Sequence, residues 1–210
     1  MKKILCFGDS NTWGYNPETK DRYPAEIRWT GVLQHMLEKN EVSVIEQGLC
    51  GRTTVYEDSY RPNRKGDDTL KALMKKNQDV DYLILMLGTN DCKKNYHNSA
   101  DEIADGIDAC LDLILHYLKP EQVLLVSPIF LGENVWKKEF DPEFDQESVL
   151  VSRNLKKEYE KIARRRKVHF LAASEYADPS DADQEHMDTY GHLHLAQAIR
   201  NECASTLKLV

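Results

Sequence analysis

Residues 4–11 read Ile-Leu-Cys-Phe-Gly-Asp-Ser-Asn, and the fold turns on this stretch. Four apolar residues are too few for a helix, and the run stops at once in glycine and small polar groups, as a buried β-strand does. Working outward, similar short apolar runs occupy residues 42–46, 82–87, 123–126 and 168–171. Between them lie amphipathic stretches. Residues 30–39 place Val32, Leu33, Met36 and Leu37 on one helical face. Residues 101–119 align Ile103, Ile107, Cys110, Leu111, Ile114 and Leu118. The second stretch opens with Ser99 as N-cap and Glu102 three residues on, and stops at Pro120. Helices are also expected over 148–166, 190–207 and, more weakly patterned, 69–76. Strands alternating with helices predict an α/β fold built of βαβ units on a five-stranded parallel sheet.

The chain has 210 residues, 41% hydrophobic and 30% charged, enough to bury the core of one domain spanning 1–210. Two polar segments, 57–68 and 131–146, carry glycine or proline and embedded aromatics. Loops of that length in a compact domain usually carry function. Lysine plus arginine number 28 against 35 acids, a net charge of −7, which argues against broad nucleic-acid or anionic-membrane binding. The five cysteines (Cys6, Cys50, Cys92, Cys110, Cys203) are scattered, without a CxxC pair. They suit a reducing compartment rather than a disulfide framework or a zinc knuckle. Met-Lys-Lys before only four apolar residues falls short of a signal core, and a cytoplasmic location is expected.

In open parallel sheets, ligands bind beyond the carboxyl ends of the strands. Strand exits here read Gly8-Asp9-Ser10-Asn11, then Gly48-Leu49-Cys50-Gly51-Arg52-Thr53-Thr54, then Gly88-Thr89-Asn90-Asp91, with Asp183 and His186 in the last polar loop. A serine hydroxyl needs an imidazole to take its proton, and the imidazole needs a carboxylate to fix its tautomer. Ser10, His186 and Asp183 supply those groups; Asp181 competes for the third role. Candidate oxyanion donors are the Ser10 N–H, a backbone N–H at Gly51 and the Asn90 amide. Each fragment alone is a common turn or cap. Their order at consecutive strand exits is the signal.

These blocks resemble the SGNH (GDSL-type) hydrolases, and more closely the bacterial arylesterase/acyltransferase branch. Residues 4–14 (ILCFGDSNTWG), 28–33 (RWTGVL), 46–54 (EQGLCGRTT) and 86–91 (MLGTND) carry that likeness, which resumes near Ala182. The resemblance implies a three-layer α/β/α sandwich of flavodoxin-like type. It implies Ser10 as nucleophile, His186 as general base and acid, Asp183 as orienting carboxylate, and Ser10, Gly51 and Asn90 as oxyanion donors. No cofactor or metal is implied. Glu185 stands where the family usually has glycine or another small residue. Trp13 and Tyr15, directly after the nucleophile, are candidates to line the substrate pocket. The expected function is a serine esterase acting on a small-molecule ester, with acyl transfer to alcohols as a side activity; homo-oligomerisation is left open. Three rivals stand beside it. One is a lysophospholipase or thioesterase of the same family. Another is a flavodoxin-like nucleotide-binding protein, although no P-loop or GxGxxG follows strand 1. The third is a metal hydrolase using His186, His192 and His194.

Overall fold

The computed structural model describes residues 1–38 and 41–206. Five parallel strands, β1 (Lys2–Gly8), β2 (Val42–Gly48), β3 (Tyr82–Met86), β4 (Val123–Ser127) and β5 (His169–Ala172), form one sheet in the order β2-β1-β3-β4-β5. All five fall where the apolar runs placed them. The central strand shows why its run is continuous. Side chains alternate across a strand, so Ile4 and Cys6 enter one buried face while Leu5 and Phe7 enter the other.

Helices α2 (Trp29–Leu37) and α6 (Thr189–Thr206) cover the first face, packing Trp29, Leu33, Leu195 and Ile199 on Ile4 and Ile84. Helices α3 (Gly66–Lys76), α4 (Ala100–Leu115) and α5 (Gln146–Arg166) cover the second with Leu70, Ile107, Leu111, Leu155 and Tyr159. The result is the three-layer sandwich. The α4 stripe of Ile103, Ile107, Cys110, Leu111 and Ile114 is fully buried in this core, so its apolar face serves packing.

Two features differ from expectation. Helix α4 begins with the Ser99–Glu102 capping box but ends at Leu115, a turn short of Lys119. Lys119 precedes Pro120, and a residue before proline is pushed out of the helical region; here it sits at φ −77°, ψ 154°. A four-residue helix, α1 (Ser10–Trp13), stands where a simple turn was expected, capped by the Asp9 carboxylate and closed by Gly14 in the left-handed conformation. The expected helix ends at Lys39 and Leu207 lie outside the described residues.

The chain leaves β1 for β2 on one side and returns across β1 to β3 on the other. That reversal between β1 and β3 is the topological switch point where such sheets bind ligands. Among the described residues, no helix is long and apolar enough to cross a membrane.

Candidate active site

Ser10 sits at the switch point as the first residue of α1. The Asp9 carboxylate accepts a hydrogen bond from the Asn11 N–H at 3.0 Å and so starts the helix directly under the serine. As a first-turn residue, Ser10 has no intrahelical partner for its own N–H. Its Oγ lies 2.8 Å from His186 Nε2, and His186 Nδ1 lies 2.6 Å from Asp183 Oδ2. The other carboxylate oxygen of Asp183 accepts the backbone N–H groups of His186 and Glu185 at 2.9 and 3.0 Å. The i, i+3 spacing thus closes one turn in which the carboxylate holds both the ring and its backbone. Asp181 is exposed and stands apart from this chain of bonds.

Two long-range bonds fix the histidine loop to the nucleophile. The Asn11 side chain donates to the Glu185 carbonyl at 3.4 Å and accepts from the Met187 N–H at 3.0 Å. Asn11 is therefore a positioning residue, although it went unmarked in the sequence beside the serine. The Tyr15 ring lies 4.3 Å from the His186 ring, centroid to centroid, with 39° between planes. Trp13 instead lies under the Arg22 guanidinium, 5.4 Å from its ring centroid.

Burial works against charge on His186. The Glu185 charge, the Asp183 hydrogen bond and charge, and the Asp9 charge outweigh it, and together they hold the imidazole above its ordinary pKa. For Asp183, burial alone would raise the pKa. The His186 bond and charge and the two backbone donors overcome it and hold the carboxyl below the usual carboxylate range. A protonated His186 cannot take a proton from Ser10. Its raised pKa therefore sets the acid limb of any reaction that uses it as a base.

Gly48 and Gly51 do different work. A Cβ on Gly48 would lie 2.1 Å from the Trp13 backbone nitrogen, so that glycine lets α1 pack on β2. Gly51 faces the rim at φ +80°, a conformation glycine adopts without strain, with Arg61 and Arg64 as its nearest neighbours. The loops around it are locked together. Arg52, buried with its pKa pushed down to about 10 by that burial, donates to the carbonyls of Gly8 (2.7 Å) and Gln47, and stacks on Phe7. Asn90 donates one amide hydrogen to the Arg52 carbonyl at 3.2 Å. Asp91 accepts both the N–H and the hydroxyl of Thr54, yet burial still pushes its pKa up to about 6. Arg52 and Asp91 stood within the matched blocks, but their bonds cross between strand exits and become readable only once the sheet is assembled.

His192 is fully buried in the core. Its Nδ1 accepts the Trp29 N–H at 3.3 Å, its ring meets Tyr23 edge-on, and burial pushes its pKa down to about 3. It packs in the core against Trp29 and Tyr23. Among the described residues, no group of three or more His, Cys, Asp or Glu side chains comes together in a metal-ligating cluster.

The two polar segments meet beside Gly51. Arg61 bridges Asp58 and Glu143, and Lys93 also reaches Glu143 at 2.5 Å. They wall a cleft of about 370 Å³ that Tyr60 and Tyr96 also line.

A hydrogen-bonded serine–histidine–aspartate chain at the switch point of an open α/β sheet defines a serine-hydrolase arrangement. A GDSL-like lipase/acylhydrolase family model matches residues 6–199, and the chain belongs to that family of carboxylic ester hydrolases. Solved structures agree in fold. Est24, a carbohydrate acetylesterase from Sinorhizobium meliloti, superposes with TM-score 0.88 at 30% identity, covering 98% of this chain and 99% of that one. The inhibitor-bound aryl esterase of M. smegmatis gives TM-score 0.89 at 28% identity over the whole of both chains. A lipolytic G-D-S-L family protein from Veillonella parvula, at 14% identity and TM-score 0.72 over the whole of both chains, shares the fold alone. A search of curated proteins found no significant match.

Proposed function

We propose that this chain hydrolyses small-acyl carboxylic esters through an acyl-enzyme on Ser10. The observation that carries this reading is the unbroken chain from Ser10 Oγ through His186 to Asp183, 2.8 and 2.6 Å long at its two links. Ser10 attacks the ester carbonyl as His186 Nε2 takes its proton. The oxyanion is met by the Ser10 and Gly51 N–H groups and by the second amide hydrogen of Asn90. The imidazolium then protonates the leaving alcohol. Water, activated by the same ring, releases the acid, and an added alcohol in place of water gives acyl transfer.

The lining of the neighbouring cleft favours a polar substituent on the ester. The ion-paired Arg61, Lys93, Glu143 and Asp58 line this cleft together with Tyr60 and Tyr96, a charged and aromatic lining that suits a hydroxylated or aromatic alcohol better than a long lipid tail. The carbohydrate acetylesterase and aryl esterase neighbours are consistent with that choice. A panel of p-nitrophenyl esters from acetyl to octanoyl, with acetylated sugars beside them, tests the reading. The expected outcome is highest kcat/KM for acetyl or propionyl esters, a p-nitrophenol burst matching enzyme concentration where deacylation is slow, and new ester formed with added alcohol. A preference rising steadily to octanoyl would favour the lysophospholipase or thioesterase reading instead.

A further inference from the structure

The residue before His186 is a buried glutamate with no part in the mechanism above. Its backbone is held from both sides, its N–H by Asp183 and its carbonyl by Asn11. The side chain is only 9% exposed, and its Oε1 lies 3.9 Å from His186 Nε2, the ring nitrogen that faces Ser10. Asp183 holds the opposite nitrogen. The imidazole thus sits between two carboxylates, one at each nitrogen, and only the Asp183 contact is a hydrogen bond.

We propose that Glu185 is a second charged support for the protonated ring, a positioning residue that acts through His186. The proposal rests on the acyl-enzyme reading and deepens it. When Ser10 attacks, its O–H bond breaks, the proton moves to Nε2, the Oγ–C bond forms and the carbonyl electron pair moves onto oxygen. The ring gains one positive charge beside Oε1. When the intermediate collapses, the C–O bond breaks and the Nε2 proton passes to the leaving oxygen. Neither carboxylate takes a proton in either step. A carboxylate 3.9 Å from the developing charge, on a segment whose backbone is held at both ends and in a site shielded from water, stabilises the imidazolium of both transition states.

The surroundings of the pair are consistent with this. Facing Glu185 are His186, Lys93, Asp141, Asp183, Tyr15 and Cys50; burial raises its pKa against the opposing charges of His186 and Lys93. Facing His186 are Asp183, Glu185, Asp9, the Tyr15 ring and the buried His192. Lys93 is engaged by Glu143, and its charge, with that of His186, favours the ionised form of Glu185 against the burial that opposes it. A neutral residue at this position would remove the carboxylate that lies 3.9 Å from Nε2 and leave Asp9 as the remaining anion on the Ser10 side of the ring.

The test uses Glu185→Gln, which keeps shape and removes charge, and Glu185→Asp, which keeps charge and retracts it by one methylene. The first readout is the titration of the His186 ring protons by NMR in the unliganded protein. The second is kcat/KM against pH. In Glu185→Gln the His186 titration and the acid limb should move together to lower pH. The plateau kcat/KM should fall by about tenfold, while kcat/KM at pH 5.5 relative to its own plateau rises at least about threefold. Glu185→Asp, its charge drawn back from the ring, should lie between Glu185→Gln and the wild type in plateau and in acid limb. A lowered plateau with an unmoved titration and acid limb would overturn the proposal, because that is the signature of a structural role alone. Should Glu185→Gln not fold, Glu185→Asp must still move the titration to lower pH by a smaller step; an unmoved titration overturns it equally. The titration needs no substrate. A failure to find any hydrolysed ester would count against the functional reading, while the movement of His186 alone decides the role of Glu185.

Discussion

Ser10→Ala is expected to lower kcat/KM toward p-nitrophenyl acetate by roughly 10⁴–10⁶-fold, the scale of losing a triad nucleophile. The residual rate would come from the oxyanion donors and from binding, which the substitution leaves in place. Stability should hardly follow. The hydroxyl makes one hydrogen bond, to His186, worth about 1 kcal/mol net, which for a chain of this length moves Tm by about 2–4 °C. The helix start survives because its cap is the Asp9 side chain, which the substitution does not touch. A Ser10→Ala protein that hydrolyses the ester at the wild-type rate would remove the nucleophile from Ser10.

The second large effect separates the two aspartates of residues 181–186. Asp183→Asn is expected to lower kcat by about 10²–10⁴-fold, because an amide can orient the wrong tautomer and cannot balance the imidazolium. The loss should be catalytic more than structural, since the asparagine oxygen can still accept the two backbone N–H groups that Asp183 Oδ1 now takes. The pH profile supplies a further mark. Asp183 helps to hold the His186 pKa up, so removing its charge should move the acid limb to lower pH even as the plateau falls. Asp181→Asn should remain within about threefold of wild type, because an exposed charge is worth little to its surroundings. KM should change little in either variant. Measuring kcat for both from pH 6 to pH 9 checks the assignment. A large loss in Asp181→Asn with a silent Asp183→Asn would reverse it, and modest losses in both would reduce the machinery to a Ser–His dyad.

The fold was legible because the inner strands β1, β3 and β4 are buried on both faces and read as unbroken apolar runs; residues 4–7 send alternate side chains to opposite layers. What was missed at the ends of elements has local causes. Lys119 looked like the end of a helix until the backbone restriction before Pro120 removed the last turn. The α1 helix is too short for any periodicity to show. The candidate site was legible to the extent that its residues sit at strand exits, as Ser10, Gly51 and Asn90 do. Asp183 and His186 were readable as a spacing. The bonds that orient them were not, because Asn11 reaches Glu185 and Met187 across more than 170 positions. For the same reason Glu185 was visible as a departure from the family pattern, while its place on the Ser10 side of the ring was not. Segments 57–68 and 131–146 were marked as functional by their length. That they meet through Arg61 and Glu143 is a fact of the assembled molecule.

The central claim is that Ser10 is the nucleophile of a covalent mechanism. It is tested most directly by labelling the folded protein with a fluorophosphonate and mapping the adduct by peptide mass spectrometry. The account predicts one adduct per chain, on the peptide containing Ser10, forming in step with loss of esterase activity and absent from Ser10→Ala. An adduct on any other residue, equal labelling of Ser10→Ala, or an active esterase that takes no label would contradict it.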